Sequence, residues 1–146
     1  MANVFYLKMC HNYREGENMK NLDIYKCEIC GNIVQTIIAG GGELVCCGEP
    51  MHKLEPQKNE DAIMEKHIPV FVKRDDGTTE IRIGEVLHPM LPEHYIMFIE
   101  TISQDKKSLH LQYLHPYEEP KMLVNGNIKD ITALEYCNIH GLWSTK

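Results

Sequence analysis

The sequence predicts an all-β protein in which a small metal-knuckle β domain is followed by an antiparallel, immunoglobulin-like β-sandwich. In the second half of the chain, short stretches of β-branched and aromatic residues alternate with turn sequences, which is typical of a sandwich. No segment carries a long series of apolar residues at the 3.6-residue spacing of an amphipathic helix. Before the sandwich, four cysteines crowd into a segment too short to bury a core of its own, which indicates that a metal stabilises it.

Hydrophobic patterns and turn residues mark the strands of the predicted sandwich. Residues 68–73 and 79–83 flank Asp75-Asp76-Gly77, which is a hairpin signal. Residues 95–102 are apolar at both alternating sets of positions, so we expect a strand buried on both faces. Residues 108–114 alternate, so we expect one buried face and one solvent-facing side. Further expected features are Leu109, Leu111 and Tyr113 on the buried face of that strand, a turn at Asn125-Gly126, a strand at 131–136, and short strands at 4–7, 33–34 and 37–38.

Composition and charge exclude several classes of function. The 146 residues are 43% hydrophobic and 25% charged, as expected for one ordinary domain or two small ones. The net charge of −6, without any basic run, argues against nucleic acid as a partner. No stretch is long and apolar enough for a signal peptide or a membrane span, so we expect a cytoplasmic protein without membrane contact.

Four of the six cysteines form the first candidate metal site. Cys27 and Cys30 make a C-x-x-C knuckle, and the adjacent pair Cys46-Cys47 follows after fifteen further residues. Gly31 and the glycines around the second pair permit the tight turns that such a site requires. In a reducing cytosol, clustered cysteines are more often ligands than disulfides, although a disulfide framework remains an alternative. Four thiolates suit zinc or a single iron, and the spacing leaves open a purely structural site or a one-electron relay.

Four histidines and one cysteine form a second candidate site. His88 and His94 lie six residues apart, Cys137 and His140 lie three apart, and His67 comes earlier in the chain. Prolines close to His67, His88 and His94 stiffen the backbone there, which would hold these ligands in place. Imidazoles with one thiolate suit iron and related metals, and five ligands leave one octahedral position open for a small reactant. The alternative is a set of scattered histidines with one buried cysteine. We expect structural or surface roles for His52, His110 and His115.

Both sites lie within motifs that resemble a known family. The motifs of the first site are Tyr25-Lys26-Cys27, Cys30-Gly31-Asn32-Ile33-Val34 and Cys46-Cys47-Gly48-Glu49-Pro50-Met51. Those of the second are Glu65-Lys66-His67-Ile68-Pro69, His88-Pro89-Met90, His94-Tyr95-Ile96 and Glu135-Tyr136-Cys137-Asn138-Ile139-His140-Gly141-Leu142-Trp143. From about residue 22 to residue 146, the chain resembles desulfoferrodoxin, a family of two-iron superoxide reductases.

The resemblance implies how the chain is divided. A desulforedoxin-like iron-binding domain would occupy residues 22–55, a polar linker residues 56–63, and a neelaredoxin-like catalytic β-sandwich residues 64–146. Residues 1–21 form an N-terminal extension outside this pattern, and its role is unknown. Cys10 lies in that extension and is expected to be a free thiol.

The resemblance also implies two mononuclear iron ions. A tetrahedral iron would be held by Cys27, Cys30, Cys46 and Cys47, and a second iron by His67, His88, His94 and His140 with Cys137 as the axial ligand. The position opposite the sulfur would be open to substrate in the ferrous form. Glu65 resembles the carboxylate that fills this position in the ferric form, and Lys66 would attract the anionic substrate and guide protons.

The implied activity is the one-electron reduction of superoxide to hydrogen peroxide. An external electron donor such as rubredoxin would return the iron to its ferrous state, and the family suggests a homodimer. Three alternatives remain at this point: an iron electron-transfer protein without catalysis, a zinc-stabilised interaction module, and a superoxide dismutase.

Overall fold

The structure, a computed structural model, describes residues 18–57, 66–125 and 131–145 and divides the chain after Leu54 into two compact units. The described residues form β-strands and turns without an α-helix, which confirms the all-β class. None of them forms a helix long and apolar enough to cross a membrane. The expected strand at 4–7, Cys10, Glu65 and Gly126 lie outside the described residues.

Twelve strands are described, five in the first unit and seven in the second. Those of the first unit are β1 (Ile24–Lys26), β2 (Ile33–Gln35), β3 (Val45–Cys46), β4 (Glu49–Pro50) and β5 (His52–Leu54). Those of the second unit are β6 (Pro69–Lys73), β7 (Thr78–Ile83), β8 (Ile96–Ser103), β9 (Leu109–Tyr113), β10 (Lys121–Asn125), β11 (Ile131–Cys137) and β12 (Gly141–Ser144).

The first unit consists of a three-stranded antiparallel sheet, in the order β2-β1-β5, and the β3–β4 hairpin. The expected strand at 33–34 is confirmed within β2, but the one at 37–38 is wrong. Ile37 and Ile38 lie in a bend and are 67% and 77% exposed. The reason is that the β1–β2 pairing ends at Gln35, and the Thr36 N–H then bonds to the Asp23 carbonyl as the chain turns away.

The second unit is a sandwich of two antiparallel sheets, in the orders β10-β7-β6 and β12-β11-β8-β9. Its core joins Ile81 and Met122 from the first sheet with Ile99 and Ala133 from the second. The predicted hairpin is confirmed as β6–β7, whose turn includes Gly77 at φ +82°. The burial of both faces of β8 is also confirmed, since Ile99 packs into the core between the sheets and Phe98, on the other face, stacks on Tyr136 of β11.

The expected burial pattern of β9 holds for Leu109, which is partly buried, and His110, which is exposed, but it is wrong from Leu111 onward. Leu111 and Tyr113 are 41% and 69% exposed, whereas Gln112 is partly buried. The Gln112 side chain donates a hydrogen bond to the Lys121 carbonyl of β10, so the face toward the other sheet is the polar one. Since β9 is the edge strand of its sheet, its apolar side chains need not be covered within the sandwich.

Candidate metal centres

The second unit brings together all five ligand candidates predicted for it. His67 lies just before β6, His88 and His94 lie between β7 and β8, Cys137 ends β11, and His140 lies in the turn before β12. One donor atom from each residue lies within 4.8 Å of those of the other four. His67, His88 and Cys137 are buried, and the other two are partly buried.

Asn138 holds two of the ligand-bearing segments together. Its side-chain amide donates to the Glu93 carbonyl at 3.0 Å, and its oxygen accepts the Tyr95 N–H at 2.9 Å. Its backbone N–H donates to the Tyr95 carbonyl. Three hydrogen bonds through Asn138 therefore join the segment around His94 to the turn that carries His140.

The lone pairs of the imidazole nitrogens inside the second cluster point toward one another. His67 Nδ1–H donates to Glu135 Oε1 at 2.8 Å, and His88 Nδ1–H donates to the Pro89 carbonyl at 2.6 Å. These bonds leave Nε2 of each ring as an acceptor pointing into the cluster. Nε2 of His88 is buried and has no hydrogen-bond partner among the described residues. A buried acceptor beside other acceptors indicates that a cation belongs between them.

The spacing of the donor atoms fits such a cation. His140 Nδ1 lies 3.0 Å from His67 Nε2, 3.2 Å from His94 Nε2 and 3.7 Å from Cys137 Sγ. Two nitrogen ligands at a right angle around an ion about 2.1 Å away are separated by about 3.0 Å. The nitrogens therefore already stand at the separation that neighbouring ligands of one ion adopt.

Burial keeps these imidazoles neutral, which is the form that binds a metal. Desolvation is the main cause that lowers the pKa of His67 to about 3 and that of His88 to about 4, and neighbouring imidazoles and Lys66 add to both shifts. The pKa of His94 is lowered for the same main reason. Burial raises the pKa of the Cys137 thiol, so a metal that binds there must displace its proton.

Glu135 is the buried carboxylate that orients His67. It lies on β11 two residues before Cys137, is fully buried, and has a pKa raised well above its usual range by desolvation. Its Oε2 atom has no hydrogen-bond partner among the described residues. A cation in the cluster would favour the ionised form of this carboxylate, and the negative charge would in turn make the His67 imidazole a stronger ligand.

We expect Glu135→Gln to weaken iron binding at this cluster by about 10-fold, because Gln keeps an acceptor oxygen for His67 but cannot carry the negative charge that strengthens this ligand, and changes behind a ligating histidine typically cost about 10–100-fold. Competition with a chelator measures the affinity. Glu100→Gln is the matched control, since Glu100 is also buried but lies on the opposite face of the sheet from Glu135. Equal affinities in the two variants would contradict the role of Glu135.

The first unit brings together the four predicted cysteines. One sulfur from each lies within 4.8 Å of the others, with Cys30 Sγ 3.6 Å and Cys47 Sγ 3.9 Å from Cys46 Sγ. Thiolates arranged tetrahedrally about 2.3 Å from one ion are separated by about 3.8 Å. The four sulfurs therefore fit a closed tetrahedral site.

A tight turn lets adjacent cysteines share this site. Cys47 and Gly48 have φ of +55° and +83°, as in the type I′ turns that close two-residue hairpins. Contacts within the group shift the pKa values of its thiols. A backbone hydrogen bond from Cys30 is the main cause that lowers the pKa of Cys27 to about 7, while side-chain contact with Cys30 is the main cause that raises that of Cys47 to about 12.

Of the other residues singled out in the sequence, Lys66 is exposed and directly precedes His67. His52, His110 and His115 are exposed and belong to neither cluster. Sequence reasoning missed Glu135 as a contributor to the second cluster. The spacing of Glu135 from Cys137 was an available signal, because residues two apart in a strand share a face.

Comparisons with known proteins agree with the two clusters. A family model described as "Desulfoferrodoxin" matches residues 59–146, and one described as "Desulfoferrodoxin, N-terminal domain" matches residues 19–54. The chain belongs to the desulfoferrodoxin family. Desulfoferrodoxin of Syntrophotalea carbinolica is 45% identical over 130 residues, which cover 87% of this chain and 98% of that protein.

Two further relatives of this desulfoferrodoxin-family chain carry the name superoxide reductase. The protein of that name from Pyrococcus abyssi is 32% identical over 98 residues, which cover 56% of this chain and 85% of that protein. The crystal structure of the superoxide reductase from Treponema pallidum is similar with a TM-score of 0.64 and 26% identity, covering 88% of this chain and 100% of that one. The chain is therefore similar both to proteins named desulfoferrodoxin and to proteins named superoxide reductase.

Proposed function

We propose that the protein is a superoxide reductase that converts superoxide to hydrogen peroxide. The observation that carries the proposal is the cluster of four imidazoles and one buried thiol sulfur in the second unit, whose donor atoms lie within 4.8 Å of one another. Relatives named superoxide reductase support it. The overall change is balanced when superoxide gains one electron and two protons to give hydrogen peroxide.

In this proposal, iron is held in the second unit by His67, His88, His94, His140 and Cys137, and in the first unit by Cys27, Cys30, Cys46 and Cys47. Iron bound by four imidazoles and one thiolate supplies the single electron that superoxide accepts. The chain's own part is to keep the imidazoles neutral by burial, to fix the tautomers of His67 and His88, and to place the Cys137 sulfur among them.

Lys66 supplies positive charge where the protein as a whole is negative. The net charge of −6 repels a small anion, whereas the Lys66 ammonium lies close enough to lower the pKa of His67, His88 and His94. We assign to Lys66 the attraction of superoxide and the guidance of protons from solvent to the product. Glu65 is assigned the carboxylate role that the family resemblance implies.

We expect Lys66→Ala to slow the encounter with superoxide by about 10-fold at low ionic strength, since steering by charge raises association rates by roughly 10–1000-fold. Pulse radiolysis on the pre-reduced protein measures the rate. The dependence of the rate on salt should also flatten, because the screened interaction is gone. Lys73→Ala is the control, since Lys73 is exposed at the far end of β6. An unchanged rate in Lys66→Ala would rule out steering by this residue.

We further propose the division suggested by the sequence: residues 1–21 an extension, 22–55 the first iron domain, 56–63 a linker that contacts the catalytic domain through Gln57, and 64–146 the catalytic domain. The four-cysteine iron would relay single electrons, and a small redox protein such as rubredoxin would supply them. Reduction of the purified protein by reduced rubredoxin, followed in its visible spectrum, tests this supply. Fractionation of cells tests the proposed cytoplasmic location.

A homodimer is proposed because the first unit exposes much apolar surface. Val34, Ile37, Ile38 and Val45 line a groove of about 520 Å³ beside Cys46. A second copy that covered this groove would remove apolar surface from water, and each Å² removed contributes about 25 cal/mol of stabilising free energy. Sedimentation of the iron-loaded protein should give twice the 16.9 kDa mass of one chain, and a monomer at micromolar concentration would contradict the proposal.

The experiment that tests the function combines metal analysis with product analysis. The protein as purified should hold two irons per chain, and the pre-reduced protein should convert superoxide to hydrogen peroxide without releasing O₂. Release of O₂ alongside peroxide would indicate a dismutase. Two zinc ions, or two irons with no reaction toward superoxide, would reject the proposal in favour of a binding module or an electron carrier.

A further inference from the structure

Gln57 is hydrogen-bonded to the turn that carries His140 and to the start of β12. Its backbone N–H donates to the Leu142 carbonyl at 2.9 Å, and it forms an isolated parallel bridge with Trp143. Its side-chain Nε2 donates a short hydrogen bond to the His140 carbonyl, across 83 residues of sequence. Gln57 is exposed, so these contacts serve the turn and not the hydrophobic core.

The backbone at the His140 carbonyl helps to determine where the ligand nitrogen of His140 lies. His140 offers Nδ1 to the cluster, whereas His67 and His94 offer Nε2. Nδ1 is bonded to Cγ and lies closer to the backbone than Nε2, so a shift of the His140 backbone displaces Nδ1 with little chance for the side chain to compensate. Trp143 Nε1 donates to the same carbonyl at 3.2 Å, and the Trp143 ring stacks on His67 at 4.8 Å. The carbonyl is thus held by two donors, one of which also packs against another histidine of the cluster.

We propose that Gln57 is a positioning residue of the four-histidine site. Its amide fixes the His140 carbonyl, which keeps His140 Nδ1 within 3.7 Å of Cys137 Sγ and within 3.0 Å of His67 Nε2. Those separations are the ones that ligands of one ion need. The inference concerns metal binding at this site, so it rests on that part of the proposed function and not on the reaction with superoxide.

The test uses Gln57→Met, which keeps the side-chain length and the backbone hydrogen bond, adds no charge, and removes the N–H donor. We expect iron affinity at the four-histidine site, measured by competition with a chelator on the full chain, to fall by about 10-fold. The thiolate-to-iron absorption of that site should shift, because the Cys137 sulfur and the His140 nitrogen move relative to each other. The absorption of the four-cysteine iron should stay unchanged in the same sample.

Gln112→Met is the matched control, because Gln112 also donates its amide to a backbone carbonyl in the second unit, that of Lys121. It should leave both iron affinity and spectrum unchanged. Urea unfolding of both metal-free variants shows whether either change merely destabilises the fold. Parent-like affinity and spectrum in Gln57→Met, or an equal loss in Gln112→Met, would overturn the proposal. A parent protein that binds iron but does not reduce superoxide would reject the function and leave this inference standing.

Discussion

Replacing Cys137 by serine will abolish the thiolate-to-iron absorption of the second site and most of the superoxide reductase activity. The fully buried Cys137 contributes the sulfur to a group whose other donors are all nitrogens. A thiolate pushes electron density onto iron, and a serine oxygen at the same place does so far less. We expect the rate with superoxide to fall by more than the roughly 100-fold that losing a group behind a ligand can cost. Visible spectroscopy and pulse radiolysis on the iron-loaded variant measure the two effects.

The four-cysteine iron is an internal standard for this experiment. Its absorption should be the same in the parent and in Cys137→Ser, which would show that the variant is folded and loaded in its first unit. A variant that keeps both the second absorption and the activity would show that the sulfur at position 137 is no ligand.

Replacing Cys27 by serine will remove the first iron and unfold the first unit while sparing the second. Cys27 is buried, and its backbone closes the knuckle by donating to the Asn32 carbonyl and accepting the Gly31 N–H, both at 2.9 Å. A unit with so few buried side chains gains much of its folding free energy from the metal, as zinc fingers do. Hydrogen exchange should lose its protection over residues 18–54, and metal analysis should find one iron per chain.

The reaction of the pre-reduced variant with superoxide separates the roles of the two irons. Since all five donor residues of the second cluster lie in the second unit, the rate of that step should match the parent. Re-reduction after turnover should slow only if the first iron relays electrons. Loss of the superoxide step itself would contradict the assignment of independent sites.

The ligand sets were predictable from sequence because residue type carries their chemistry. The spacing of Cys27 and Cys30, and of Cys137 and His140, is typical of metal ligands. The family resemblance then assigned all nine candidate ligands to two sites. The adjacent pair Cys46-Cys47 differs from a second C-x-x-C knuckle, and two neighbouring thiols can reach one ion when the backbone makes a left-handed turn between the strands. The φ of +55° at Cys47 supplies that turn, and a non-glycine residue there is uncommon enough that pattern reasoning does not expect it.

Other features could not be predicted because they depend on distant partners. The contact between Glu135 and His67 spans 68 residues of sequence, and that between Gln57 and His140 spans 83. The burial of residues 111–113 in β9 was predicted the wrong way round, because alternation identifies two faces of a strand without indicating which one meets the other sheet. Only the pairing with β8 and the bond from Gln112 to β10 decide that question.

The distribution of donors along the chain also sets the order in which each unit can acquire its ion. All four sulfurs of the first unit lie between Cys27 and Cys47, so closing that loop costs little entropy and an ion can capture them in a nascent chain. In the second unit, His67 and His140 are 73 residues apart and meet only once the strands between them have paired. We therefore expect iron to promote the folding of the first unit, and to bind the second unit only after its strands have paired.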